Sequence, residues 1–94
     1  MNAVINSIGI YHPEKKVYNS FFEERLDTSD KWIKERTGIE SRFFAASDEY
    51  TSDMCVKAAL NLSETYGKDL SDVDFIIVAT TTPDHIIPSV ASQV

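Results

Sequence analysis

The chain has 94 residues, enough for one small domain and too few for two. Its hydrophobic fraction of 43% and charged fraction of 26% are ordinary for a soluble globular protein. The net charge of −6 disfavours a nucleic-acid partner, and the single cysteine excludes an internal disulfide. No signal peptide is visible and no apolar run approaches the ~18 residues of a membrane span, so we expect a cytoplasmic protein with no membrane partner.

The N-terminal third predicts a strand and two helical segments. Residues 3–11 are β-rich and mostly apolar, and Pro13 closes this run, which predicts a strand. Residues 21–26 have apolar side chains at helical spacing and predict one or two helical turns. The acids and hydroxyls of residues 27–30 form a strong N-cap cluster for a helix that continues to Arg36.

Glycines and capping residues delimit the next elements. Gly38 is predicted to end the second helix, and residues 39–45 are predicted to be extended. Thr51 is predicted to cap the clearest helix of the chain, and Gly67 to end it. This helix carries one apolar stripe at spacings of three and four: Met54, Cys55, Ala58, Ala59, Leu62 and Tyr66.

The C-terminal third indicates an α/β fold. Residues 75–79 are apolar without alternation, which is typical of a central parallel strand covered on both faces. The loop of residues 80–85 would leave the edge of the sheet where ligands collect. Pro88 and Ser89 predict the start of a last helix. Because this helix is short and the strand lacks neighbours and covering helices, we expect residues 1–94 to be an incomplete domain, with a small complete α+β domain whose last helix is short as the alternative.

One set of residues suggests a ligand. Thr28, Trp32 and Arg36 lie at i, i+4 and i+8, which places them on one helical face. Trp and Arg can both stack on a planar ring, and Arg adds affinity for phosphate. A purine nucleotide would suit this face, but a Trp–Arg pair that only stabilises its own helix is the commoner explanation of such spacing.

The same residues carry a specific resemblance to a known family. Residues 27–39 (DTSDKWIKERTGI) closely resemble the signature of β-ketoacyl-acyl carrier protein synthase III. The similarity extends over essentially the whole chain: it includes residues 9, 11–14, 40–42, 51–54, 74–82 and 88–93. The resemblance implies the N-terminal part of a thiolase-like domain, five layers when complete, with a mixed sheet and flanking helices.

The resemblance also implies a function. Such an enzyme is a cytoplasmic homodimer that condenses an acyl-CoA primer with malonyl-acyl carrier protein and so starts fatty acid biosynthesis. Acyl-CoA is a substrate, and no cofactor or metal is expected. Trp32 and Arg36 would sandwich the CoA adenine and Thr28 would hydrogen-bond to it. Thr81 and Ile87 would lie at the acyl pocket and dimer interface.

No catalytic residue is expected within the chain. The family's nucleophilic Cys and its His and Asn fall after residue 94, so the chain alone is expected to be inactive. Cys55 lies on the apolar stripe and is read as a buried structural thiol. His12 is read as a surface residue and His85 as a loop or interface residue, and they give no metal-ligand spacing. Asp69, Asp72 and Asp74 are read as solvated acids of a turn.

Alternative functions remain open from the sequence. The family usually has an acid where Lys31 stands and an aliphatic residue where His12 stands. These departures leave room for a paralogue with another acyl preference or a related synthase of secondary metabolism. A CoA- or nucleotide-binding module without catalysis, and an acidic interaction domain anchored by Trp32 and residues 43–44, are the other possibilities.

Overall fold

The computed structural model describes residues 2–94 and divides into two compact units. We call Pro13–Asp48 the hairpin unit. We call residues 2–12 together with Glu49–Val94 the helical unit. The elements are mixed α and β, which agrees with the predicted α/β class.

The hairpin unit is built on a two-stranded antiparallel sheet. Strand β1 spans Lys15–Tyr18 and strand β2 spans Ser41–Phe44, and in their register Lys15 lies opposite Phe44. Between the strands come a one-turn helix α1, Ser20–Glu23, and an eight-residue helix α2, Asp30–Thr37. The helices and β2 match the predicted segments, whereas β1 is an element that the sequence did not predict.

Local hydrogen bonds define both ends of α2. The Ser29 hydroxyl caps the first turn by accepting a hydrogen bond from the Trp32 amide at 3.1 Å. Gly38 ends the helix with φ of 72°, a left-handed conformation that glycine adopts without steric cost. Thr37 secures this end, since its hydroxyl donates to the Ile33 carbonyl at 2.7 Å and accepts from the Ile39 amide at 3.0 Å.

The buried centre of the hairpin unit includes a polar residue, Asn19, which is only 1% exposed. Its side-chain amide donates to Asp30 Oδ1 at 2.9 Å and to the Ile39 carbonyl at 2.7 Å. Its side-chain oxygen accepts from Arg42 at 2.8 Å, and its backbone amide donates to the Glu40 carbonyl at 3.2 Å. One side chain therefore ties the start of α2 to the start of β2.

An aromatic cluster stacked by cations lies beside this centre. The rings of Phe21, Phe22 and Phe44 meet edge to face, with centroids 5.2 to 6.3 Å apart. Arg25 lies 3.8 Å from the Phe21 centroid and Arg42 lies 4.4 Å from the Phe22 centroid. Apolar burial and cation–π attraction therefore act together to hold α1 against the sheet.

The helical unit centres on α3, Thr51–Tyr66. Its N-cap is Tyr50 rather than the predicted Thr51, because the Asp53 carboxylate accepts a hydrogen bond from the Tyr50 amide at 2.9 Å. Gly67 ends α3 with φ of 64°, as predicted. A 3-10 turn at Leu70–Asp72 and a one-turn helix α4, Val90–Gln93, complete the unit.

Residues 3–11 cross α3 at very close range and are not a strand. A Cβ on Gly9 would lie 2.3 Å from the Ala58 carbonyl oxygen and 2.5 Å from the Leu62 Cβ. The Ile10 amide donates to the Asn61 side chain at 3.1 Å. The predicted strand is wrong because, among residues 2–94, the only ladder joins β1 to β2, and residues 3–11 contact a helix instead.

The predicted central strand at residues 75–79 is also absent. Phe75 is 79% exposed and Ile77 is 82% exposed, so the face that these two side chains would share in a strand is not covered by the described residues. An apolar run indicates a preference for burial, but a strand also needs a hydrogen-bonded neighbouring strand. The described chain supplies none here.

Candidate functional site

Helix α2 presents Trp32 and Arg36 together. The Trp32 side chain is 53% exposed, and the Arg36 guanidinium carbon lies 5.5 Å from the centre of its ring. This distance is within the range of a cation–π contact. The two side chains therefore share a solvent-accessible face, as their spacing of four residues predicts.

Thr28 occupies a different position from the one predicted. Because the N-cap of α2 is Ser29, Thr28 lies before the helix and not on its face. Its amide donates to the Leu26 carbonyl at 2.9 Å. Its hydroxyl oxygen is buried and is the one buried side-chain polar atom within residues 2–94 that lacks a hydrogen-bond partner. An unpaired buried hydroxyl is unfavourable, so a ligand or a rearranged neighbour that satisfied it would be stabilised.

The Trp32–Arg36 separation limits how a base can bind. A planar base sandwiched between the two groups needs about 3.5 Å on each side, or about 7 Å in total. The observed 5.5 Å is shorter, so Arg36 must swing outward to admit a base. Arg36 forms no ion pair within residues 2–94, so no salt bridge opposes this movement.

The neighbouring cation of α2 is engaged within the unit. Lys34 Nζ lies 3.2 Å from Asp30 Oδ2 and 3.7 Å from Glu40 Oε1. The hydrogen bond from Asn19, followed by that from Lys34, lowers the pKa of the Asp30 carboxyl. The same carboxylate raises the pKa of Lys34. These charges stabilise the start of the helix and leave Trp32 and Arg36 as the accessible pair.

The loop of residues 80–85 is anchored to the N-terminus of α3. The Ser52 amide donates to Asp84 Oδ1 at 2.9 Å, and the Ser52 hydroxyl donates to Asp84 Oδ2. The Thr51 hydroxyl donates to the Thr82 carbonyl. The hydrogen bonds from Ser52 lower the pKa of the Asp84 carboxyl. These bonds hold the loop that carries Thr81.

Thr81 and Ile87 are both exposed, and Ile87 is exposed by 87%. They lie in the helical unit, whereas Thr28, Trp32 and Arg36 lie in the hairpin unit. The neighbouring Ile86 is 93% exposed. Two adjacent isoleucines with almost their whole side chains exposed form an apolar surface suited to contact with another surface.

The remaining candidate residues are a cysteine and two histidines. Cys55 is half-buried on α3 rather than fully buried, and His12 and His85 are exposed. Among residues 2–94 no group of three His, Cys, Asp or Glu side chains could hold a metal ion. In the same part of the chain, no helix is long and apolar enough to cross a membrane.

Comparisons with known proteins agree with the resemblance that residues 27–39 carry. The chain is 50% identical over 92 residues to the β-ketoacyl-[acyl-carrier-protein] synthase III of Paracoccus denitrificans, covering 98% of this chain and 28% of that protein. It is 53% identical over 92 residues to synthase III 2 of Staphylococcus epidermidis, with the same two coverages. No protein-family model matches the chain.

Solved structures give the same result. The crystal structure of β-ketoacyl-[acyl carrier protein] synthase III from Thermus thermophilus aligns with a TM-score of 0.85 and 47% identity, over 97% of this chain and 28% of that one. The 3-oxoacyl-[acyl-carrier-protein] synthase III from Aquifex aeolicus aligns with a TM-score of 0.81 and 36% identity, over 93% and 28%.

The class of the protein follows first from the fold. The chain is a mixed α/β segment whose structure matches part of solved thiolase-fold synthase III chains. Along nearly all of its length it is homologous to β-ketoacyl-acyl carrier protein synthase III, which confirms the resemblance. It spans about 28% of the length of these relatives.

Proposed function

We propose that this chain is the N-terminal part of a 3-oxoacyl-acyl carrier protein synthase III. The whole enzyme would condense an acyl-CoA primer with malonyl-acyl carrier protein and start fatty acid biosynthesis, as a cytoplasmic homodimer. The observation that supports this most is the identity of about half of the residues over 98% of the chain with proteins of that name.

In this proposal the hairpin unit recognises the CoA nucleotide. The exposed Trp32 ring stacks on the adenine, and Arg36 swings outward to cover its other side and to attract phosphate. Thr28 hydrogen-bonds to the adenine once the atoms that cover its hydroxyl move aside, which would satisfy an otherwise unpaired buried group.

The helical unit would supply apolar surface to the acyl pocket and dimer interface. Ile87 is nearly fully exposed and Thr81 lies in the loop anchored by Asp84, so both can contact a second surface. None of residues 1–94 is proposed to be catalytic. The chain by itself should give no turnover of acetyl-CoA with malonyl-acyl carrier protein.

A CoA titration tests the nucleotide-binding role. Trp32 is the single tryptophan, so quenching of its fluorescence reports a base stacked on that ring. Arg36→Ala should weaken CoA binding about fivefold, because it removes a cation–π partner and a phosphate contact. Arg25→Ala is the matched control, since Arg25 also stacks on an aromatic ring of the same unit.

The controls decide between the alternatives. Absence of CoA quenching in a sample with a folded circular dichroism spectrum would contradict the nucleotide-binding role. Equal losses with Arg25→Ala and Arg36→Ala would indicate a general effect on the hairpin unit. CoA binding by the chain, with no condensing activity in a longer protein that contains it, would favour a binding module without catalysis.

A further inference from the structure

The three cations of α2 differ in what surrounds them. Lys34 is held by Asp30 and Glu40 at 3.2 and 3.7 Å. Within residues 2–94, neither Lys31 nor Arg36 forms an ion pair. Lys31 is also exposed. These two side chains therefore present the positive charges of α2 that no protein carboxylate neutralises.

Lys31 and Arg36 lie on opposite sides of Trp32. At 3.6 residues per turn, Arg36 is rotated about 40° to one side of Trp32 around the helix axis, and Lys31 about 100° to the other. The Trp32 ring between them is more than half exposed. A long lysine stem can keep its apolar part along the protein and bring its ammonium group towards a ligand stacked on the ring.

An aromatic surface flanked by two cations suits a planar base that carries separated anionic groups. CoA has this chemistry, since its adenosine bears a 3′-phosphate and a 5′-diphosphate. We propose that Lys31 binds a CoA phosphate on the side of Trp32 opposite Arg36. This inference rests on the proposed CoA-binding role of the hairpin unit and extends it to a residue that the sequence did not assign to the site.

Glu35 is the nearest alternative partner for Lys31 along the helix. It follows Lys31 by four residues, the spacing that favours a helical ion pair. The structure contains no such pair, and exposed pairs of this kind are weak and screened by salt. A phosphate carries more charge than one carboxylate and accepts several hydrogen bonds, so it should displace Glu35 as a partner.

The test is a fluorescence titration of the 94-residue chain with CoA and, separately, with adenosine. Lys31→Glu should weaken CoA binding about tenfold at low salt, and this difference should shrink as salt is added. Adenosine, which has the base but no phosphate, should bind both proteins equally. Lys31→Arg should restore CoA binding, because it keeps the positive charge.

Lys68→Glu serves as the matched control for net charge. Lys68 lies just after α3 in the helical unit, and the change alters the charge of the chain by the same amount as Lys31→Glu. It should leave CoA binding unchanged. An equal loss in Lys31→Glu and Lys68→Glu would overturn the proposal, because the effect would then come from overall charge.

The remaining outcomes separate this inference from the proposed function. If the unmodified chain binds CoA and Lys31→Glu binds it equally well, the role of Lys31 is wrong while the CoA site stands. If Lys31→Glu weakens adenosine as much as CoA, Lys31 affects stacking and not phosphate binding. If the unmodified chain does not bind CoA, both proposals fail.

Discussion

The two units of this chain differ in charge. The hairpin unit contains seven of the nine lysines and arginines, which nearly balance its acids. The helical unit contains only Lys57 and Lys68 against seven acids, and therefore carries most of the net charge of −6. By net charge, an anionic ligand is repelled much less by the first unit than by the second. This contrast supports assigning phosphate recognition to α2.

The units also differ in how they are held together. The hairpin unit depends on hydrogen bonds to the buried Asn19 and on aromatic rings stacked by arginines. The helical unit depends on a backbone crossing at Gly9, where no side-chain atom fits, and on the Asp84 carboxylate at the start of α3. Substitutions at these points should therefore affect one unit and spare the other.

The largest expected effect comes from Gly9→Ala. The added Cβ would lie 2.3 Å from a backbone oxygen of α3, and a backbone cannot shift as easily as a flexible side chain. We expect a loss of more than about 3 kcal/mol of stability in the helical unit. Amide hydrogen exchange should show α3 losing protection while β1 and β2 keep theirs.

Gly38→Ala is the matched control for this experiment. A Cβ there would have no atom within 4 Å, so only the left-handed backbone at φ of 72° opposes the change. The expected cost is about 1 kcal/mol. A loss at Gly9 no larger than at Gly38 would contradict the close crossing of α3.

A smaller effect is expected from Asn19→Ala in the hairpin unit. It removes the hydrogen bonds of Asn19 with Arg42, Asp30 and the Ile39 carbonyl, at a cost of about 2–3 kcal/mol. Amide exchange should rise in α2 and β2 and stay unchanged in α3. Asn6→Ala, an exposed asparagine of the other unit, is the control. Simultaneous loss of protection in both units would show that the two units are not stabilised independently.

The smallest effect concerns pH. The folded pKa of Asp84 is lowered by Ser52, so its contribution to stability is present above its ordinary pKa near 3.8 and is lost as pH falls through the lowered value. Asp84→Asn should flatten the acid dependence of α3 protection below about pH 4. The pKa of Asp30 is also lowered, and this substitution does not touch Asp30. The acid dependence of the hairpin unit should therefore be the same in Asp84→Asn as in the unmodified chain. Hydrogen exchange at several pH values checks both.

Local chemistry explains which elements could be predicted. Helices α2 and α3 were predicted because their stop signals, Gly38 and Gly67, are single residues whose backbone preference acts without a tertiary partner. Strand β1 was missed because only Val17 of its four residues is buried, so the apolar pattern is weak. The strands predicted at residues 3–11 and 75–79 were wrong because pairing cannot be read from hydrophobicity.

Local spacing along the chain also explains why part of the candidate site could be predicted. The spacing of Trp32 and Arg36 fixes their common face once α2 forms, and the structure has them together. The position of Thr28 depended on which hydroxyl caps the helix, and Ser29 does so. The role of Asn19 depends on contacts between elements, and no local signal in the sequence distinguishes a buried asparagine from an exposed one.

The largely exposed run of residues 75–82 has a consequence for the chain in solution. It is rich in β-branched residues and contains no charge, glycine or proline, a composition that promotes cross-β aggregation when exposed. Asp74 precedes it and Pro83 and Asp84 follow it, in the positions of gatekeeper residues. Asp84 therefore has two roles, since the carboxylate that anchors α3 also borders a segment prone to form fibrils.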